Sequence, residues 1–138
     1  MITVLAHGCF DVLHVGHVRH LQAARQLGDR LIVSVTADEF VNKGPDRPVF
    51  TATQRVECLR ALRCVDEALV AYSQTAAATI REIRPTIYAK GPECRTDFSP
   101  EFLAEREAIE EVGGVLTYTD GAQFHSTDLL RKVVDFYA

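Results

Sequence analysis

The sequence predicts an α/β fold: an open, doubly wound, Rossmann-like parallel sheet of five strands with helices on both faces. Three observations carry this. Apolar runs of strand length alternate regularly with stretches of helical period, the signature of βαβ units. The first run, Ile2-Thr3-Val4-Leu5-Ala6, passes through Gly8 directly into a helical pattern. Turn and cap residues sit where the alternation needs boundaries.

In chain order the expected elements are a strand over 2–6, a helix over 15–27, a strand over 31–36, a helix over 53–63, and a strand over 68–72. There follow a helix over 75–84, a strand over 86–89, a helix over 100–112, a strand over 115–119 and a helix over 126–136. The first strand has the length and β-branched content of a buried strand. Val15, Val18, Leu21 and Ala24 give the first helix its stripe. Thr51 with Gln54 three positions later reads as a capping box for the second helix. Ser99-Pro100-Glu101 supplies an N-cap, a proline at the first turn and an early acid for the fourth, and Gly113-Gly114 stops it. Right-handed crossovers then place ligands beyond the carboxyl ends of the strands, where strand order reverses. Because the glycine- and histidine-bearing turn follows the first strand, that strand is expected at the centre. The segment from Asn42 to Phe50, with Gly44, Pro45 and Pro48, reads as the most mobile loop.

Composition narrows the function classes. At 138 residues, 47% hydrophobic and 25% charged, the chain suits one domain with a real core. No apolar run approaches the ~18 residues a membrane span requires, and a strand begins at once where an export segment would stand, so a cytoplasmic protein is expected. The four cysteines, Cys9, Cys58, Cys64 and Cys94, form no close pair and are expected to be reduced thiols. A net charge of −4 without a Lys/Arg cluster argues against nucleic-acid binding. A negative substrate must therefore be held by a local site.

That site is written in Gly8-Cys9-Phe10-Asp11-Val12-Leu13-His14-Val15-Gly16-His17. His14 and His17 fall at a helix entrance, where unpaired N–H groups and the helix dipole favour an anion. They are three apart, hence neighbours on one face, and Gly16 leaves room for a phosphate to approach the backbone. No carboxylate or cysteine stands at a matching metal-ligand spacing, so no protein-only metal motif is present.

The string resembles the His-x-Gly-His motif of the nucleotidylyltransferases, a family that includes glycerol-3-phosphate and ethanolamine-phosphate cytidylyltransferases and the heptose-phosphate adenylyltransferases. The resemblance continues in order through Leu27-Gly28-Asp29-Arg30, Asp38-Glu39-Phe40, Lys43-Gly44-Pro45-Asp46-Arg47-Pro48-Val49, Gln54-Arg55, Val65-Asp66-Glu67, Ala89-Lys90-Gly91 and Ser126-Thr127. It implies an enzyme that joins a nucleoside triphosphate, assisted by Mg²⁺, to a phosphorylated small polyol or sugar and releases pyrophosphate. His14 and His17 would donate to the triphosphate, Lys43 would reach over it as a mobile cation, and Arg55 would meet an anionic ligand. Gly8, Cys9, Phe10, Gly16, Lys90, Gly91, Ser126 and Thr127 would contact the nucleotide; Asp11, Asp38 and Arg63 would face the acceptor. Arg63 matches the cytidylyltransferase pattern and favours CTP, whereas the loop from Lys43 to Val49 and Lys90-Gly91 match the adenylyltransferases and keep ATP as the alternative. Gly91-Pro92-Glu93 and Gly121-Ala122-Gln123-Phe124 replace the acidic pair and the Arg-Thr segment usual in glycerol-phosphate cytidylyltransferases. His20 and His125 match no family position. Two other classes stay open: a nucleotide-binding sensor without turnover, and a redox module built on Cys9 at its helix entrance. A homodimer is expected by resemblance. The acidic run from Glu105 to Glu111 reads as a solvated helix face.

Overall fold

In a computed structural model, described for residues 1–120 and 126–137, five parallel strands form one sheet in the order β3-β2-β1-β4-β5. The strands are β1 (Thr3–Gly8), β2 (Arg30–Thr36), β3 (Glu67–Ala71), β4 (Ile87–Lys90) and β5 (Val115–Tyr118). The helices are α1 (Val15–Arg25), α2 (Ala52–Arg60), α3 (Ala77–Ile83), α4 (Pro100–Glu111) and α5 (Ser126–Tyr137). β1 is central, as expected, and strand order reverses between β1 and β4.

The alternation of side chains along β1 explains the layering. Val4 and Ala6 enter the cluster that α1 and α2 complete with Leu21, Ala24, Val56 and Leu59. Leu5 points the other way, to Tyr88, to Ala77 and Ile80 of α3, and to Ala108 and Ile109 of α4. A strand with apolar residues on both of its faces is thus one that feeds two cores.

The caps form as written. Gln54 N donates to Thr51 Oγ1 at 3.2 Å and Thr51 N to Gln54 Oε1 at 3.1 Å. Ser99 Oγ accepts from Phe102 N at 3.3 Å. Gly113 takes φ 75°, the left-handed angle that lets the chain leave α4 and turn into β5.

Three expectations are corrected. The first two helices end earlier than their apolar periods imply, at Arg25 and Arg60, because tight turns lead into β2 and β3. Two single 3-10 turns, Asp38–Phe40 and Pro92–Thr96, were not expected. Glu105 is not on a solvated face: it is buried, accepting from Tyr88 Oη at 2.6 Å and Ala76 N at 2.9 Å. That bond, together with burial and the facing carboxylate, pushes the Tyr88 hydroxyl well above its ordinary pKa, burial being the largest cause.

Candidate active site

The cleft lies at the carboxyl ends of β1 and β4, at the point where strand order reverses, the place a doubly wound sheet reserves for ligands. It has a volume of about 220 Å³. From β1 and the loop after it come His7, Gly8, Cys9 and Phe10; from the start of α1, His14, Gly16, His17 and His20; from the loop after β2, Lys43; from the end of β4, Lys90, Gly91 and Glu93. Thr119 and Asp120 close it beyond β5.

The two motif histidines hold each other in place. His14 is the N-cap of α1, its Nδ1 accepting from Gly16 N at 3.1 Å, while His14 N donates to His17 Nδ1 at 3.3 Å. The rings stack with centroids 3.8 Å apart, and Phe10 meets His17 edge-on. A nitrogen that accepts carries no proton, so each neutral ring keeps its hydrogen on Nε2. Burial, then the nearby His14, Lys43 and His20, hold the His17 pKa down at about 4, so the ring is neutral at pH 7. His7, at the end of β1, is pushed to about 3 by burial and by Lys90. Its Nδ1 lies 2.8 Å from Ser34 Oγ, and its carbonyl accepts from Lys90 Nζ at 3.1 Å.

The loop between β1 and α1 is strained and clamped. Phe10 and Val12 take φ 51° and 55°, left-handed angles that cost of order 1–3 kcal/mol each outside glycine. Gly8 is needed here because a Cβ would meet the Phe10 ring at 3.0 Å. Two side chains clamp the loop. Arg55, 1% exposed, donates to Cys9 O at 2.8 Å, Phe50 O at 3.0 Å and Asp38 Oδ1 at 2.7 Å. Asp11, also 1% exposed, accepts from Val49 N at 2.7 Å, Phe50 N at 3.0 Å and Arg47 Nε at 3.0 Å. Burial would raise the Asp11 pKa, but the Val49 and Phe50 N–H groups and Arg47 outweigh it and hold the carboxyl below the usual range.

Four of the expected site residues are not among those lining the cleft. Arg55 does not line the cleft, and its anionic partner is Asp38. Asp38 caps the start of α2, accepting from Ala52 N at 2.8 Å. Asp11 anchors the loop that carries Lys43. Arg63 is exposed in the turn before β3, at the amino ends of the strands and so on the side away from the cleft. Ser126 and Thr127 begin α5, but their side chains, like all of residues 121–125 and therefore His125, lie outside the described residues. Gly8, Cys9, Phe10, His14, Gly16, His17, Lys43, Lys90 and Gly91 do come together. Arg19, His20, Glu93, Thr119 and Asp120 join them unforeseen. His20 carried a usable signal, since it continues the three-residue spacing of His14 and His17.

The cleft holds three cations, Lys43, Lys90 and Arg19, against the carboxylates of Glu93 and Asp120. With its neutral imidazole donors and an open helix N-terminus, it is built to receive a polyanion. Among the described residues no group of three or more His, Cys, Asp or Glu is placed to hold a metal ion by itself. The four cysteines are free thiols.

Residues 5–132 match the family described as cytidylyltransferase-like. The chain belongs to the cytidylyltransferase-like family. That family is the one the sequence resembles. This cytidylyltransferase-like chain is 36% identical over 137 residues to "Bifunctional protein HldE" of Syntrophotalea carbinolica, covering 97% of this chain and 27% of that protein. It is 43% identical over 137 residues to "Bifunctional protein HldE" of Streptomyces coelicolor, covering 96% of this chain and 28% of that one. The chain thus spans about a quarter of the length of the curated relatives it matches. Among solved structures it is similar to a lipopolysaccharide core biosynthesis protein of Thermoplasma volcanium, with TM-score 0.71 and 27% identity over 91% of this chain and 99% of that one. A pantothenate synthetase of Thermus thermophilus shares the fold, at TM-score 0.61 and 13% identity, over 90% of this chain and 57% of that one. No helix among the described residues is long and apolar enough to cross a membrane.

Proposed function

We propose that the chain transfers an adenylyl group from ATP to a phosphorylated sugar, releasing pyrophosphate. The observation that carries the reaction class is the clamped pair of neutral imidazoles at the open end of α1, inside a cationic cleft at the strand switch point. The preference for ATP over the CTP first expected rests on two supports. The relatives named HldE match over nearly the whole chain, in keeping with the likeness of the Lys43–Val49 loop and Lys90-Gly91 to heptose-phosphate adenylyltransferases. Arg63, the residue that favoured CTP, sits at the far end of the sheet from the cleft.

The acceptor's phosphate monoester, with a second pKa near ~6, is already an anion at neutral pH. One of its oxygens attacks the α-phosphorus, forming a new P–O–P linkage as the bond to the β-phosphate oxygen breaks and pyrophosphate leaves with that electron pair. No proton has to move, so no general base is needed. What remains for the protein is placement and charge neutralisation. His14 and His17 would donate through Nε2 to the phosphate oxygens, and their neutrality lets them serve as donors of fixed direction. Lys43 would close over the phosphates from its loop, with Lys90 and the α1 N–H groups adding positive potential. Mg²⁺ would arrive on the triphosphate as part of the substrate and offset its charge. A homodimer, drawn from the family likeness, belongs to the same proposal and is tested by light scattering.

The test is pyrophosphate release with Mg²⁺, ATP or CTP, and a panel of sugar and polyol phosphates. Release with ATP and a sugar phosphate is expected. Equal or better turnover with CTP would overturn the nucleotide preference, and nucleotide binding without turnover across the panel would favour the sensor reading.

A further inference from the structure

We infer that His20 is a third imidazole donor of this cleft, contacting an oxygen of the bound nucleotide through Nε2; this rests on the reading that the cleft takes a nucleoside triphosphate.

Placement comes first. His20 follows His17 by three residues, as His17 follows His14, so the three rings rise along one face of α1 over about 9 Å. All three line the cleft. The row does not end at the helix mouth: it runs inward along the wall formed with the ends of β4 and β5, whereas Lys43 stands on the side of β2. A ligand touching both His14 and His20 lies across the gap between β1 and β4, which is where nucleotides lie in doubly wound sheets.

The ring is also oriented. His20 Nδ1 lies 2.6 Å from Thr119 Oγ1. Thr119 is itself fixed, its N–H donating to Lys90 O at 2.8 Å. The hydroxyl also lies 3.4 Å from Lys90 O, and we assign its hydrogen to the nearer Nδ1, 2.6 Å away. An accepting Nδ1 puts the ring proton on Nε2. Burial and the neighbouring Lys90 lower the His20 pKa, with Glu93 opposing, so the neutral ring is the resting form. Among the described residues Nε2 makes no hydrogen bond. A third histidine, outside the motif, thus shares with His14 and His17 an Nδ1 engaged by the protein. Packing alone would be served by an apolar side chain, as at Leu21 and Ala24 of the same helix.

The test uses two isosteric replacements. His20→Gln places an amide donor where Nε2 stands; His20→Asn places the amide oxygen where Nδ1 stands, accepting from Thr119, and leaves no donor at the Nε2 position. MgATP binding by calorimetry and initial rates are measured for both, alongside thermal midpoints to show intact folding. A contact through Nε2 predicts that His20→Asn raises the ATP Kd and KM by ~3- to 10-fold, the worth of one hydrogen bond. It predicts that His20→Gln stays within about 2-fold and that the acceptor KM is unmoved in both. Repeating the titration with inorganic triphosphate separates the sources: a loss there places the contact on a phosphate oxygen, a loss with ATP alone on the nucleoside. A purely structural role predicts the reverse order, with His20→Asn the better tolerated, and that result, equal losses or no loss would overturn the inference. Wild-type binding of ATP without turnover would remove the proposed reaction and leave this contact standing; no binding of any nucleoside triphosphate would remove both.

Discussion

The guanidinium of Arg55 donates to the carbonyl of Cys9 at 2.8 Å, tying α2 to the strained loop that leads into α1. The same group bonds Phe50 O and Asp38, so one buried side chain joins the loop after β1, the turn after β2 and the segment just before α2. Replacing it by methionine leaves two carbonyls without their donor. A loss of about 2–4 kcal/mol is expected by urea unfolding, with activity falling because the loop relaxes. Unchanged stability with lost ATP binding would make Arg55 a ligand contact instead.

Asp11 does the corresponding work for the Lys43 loop. Asp11→Asn keeps the shape but loses the charge that two N–H groups and Arg47 share. The expected outcome is a stability loss of about 1–3 kcal/mol and a raised KM for ATP, because Lys43 is no longer presented over the cleft. Faster proteolysis within residues 42–50 checks the cause.

Acid should weaken the fold through His17. Its pKa is about 4 when folded against 6.5 in the free side chain, so between those values the unfolded chain binds a proton that the folded one refuses. Stability from this residue is fully present above pH 6.5 and falls as the pH drops toward 4. His7, at about 3, extends the same trend to lower pH. Denaturation midpoints from pH 7.5 to 4.5 should decline, and His17→Gln should flatten the decline.

Glu105, on the buried face of α4, lies in the other core. Glu105→Ala removes the acceptor for Tyr88 Oη and Ala76 N. A cost of about 2–3 kcal/mol is expected, with the KM for ATP unchanged, since the residue does not line the cleft. A changed KM at unchanged stability would contradict this.

How much of this was legible in the sequence follows from the range of each interaction. β1 could be placed at the centre because its own run of apolar residues, followed by a glycine and a helix, contains the information. His14, Gly16 and His17 were visible for the same local reason. Arg55, Asp11 and Asp38 are residue types that suit a phosphate site, yet their partners lie up to 46 positions away, and no local pattern reveals such a pairing. Glu105 misled because its neighbours are acidic. Its register did carry the signal: Phe102, Glu105, Ala108 and Ile109 share one buried face.

The most direct measurement concerns His14→Asn, because asparagine still caps a helix but has no Nε2 donor. Pyrophosphate release from MgATP and a sugar phosphate should fall by ~10²- to 10³-fold, while the unfolding midpoint stays where it was. A variant that turns over at the wild-type rate would contradict the claim that the paired imidazoles hold the triphosphate during transfer.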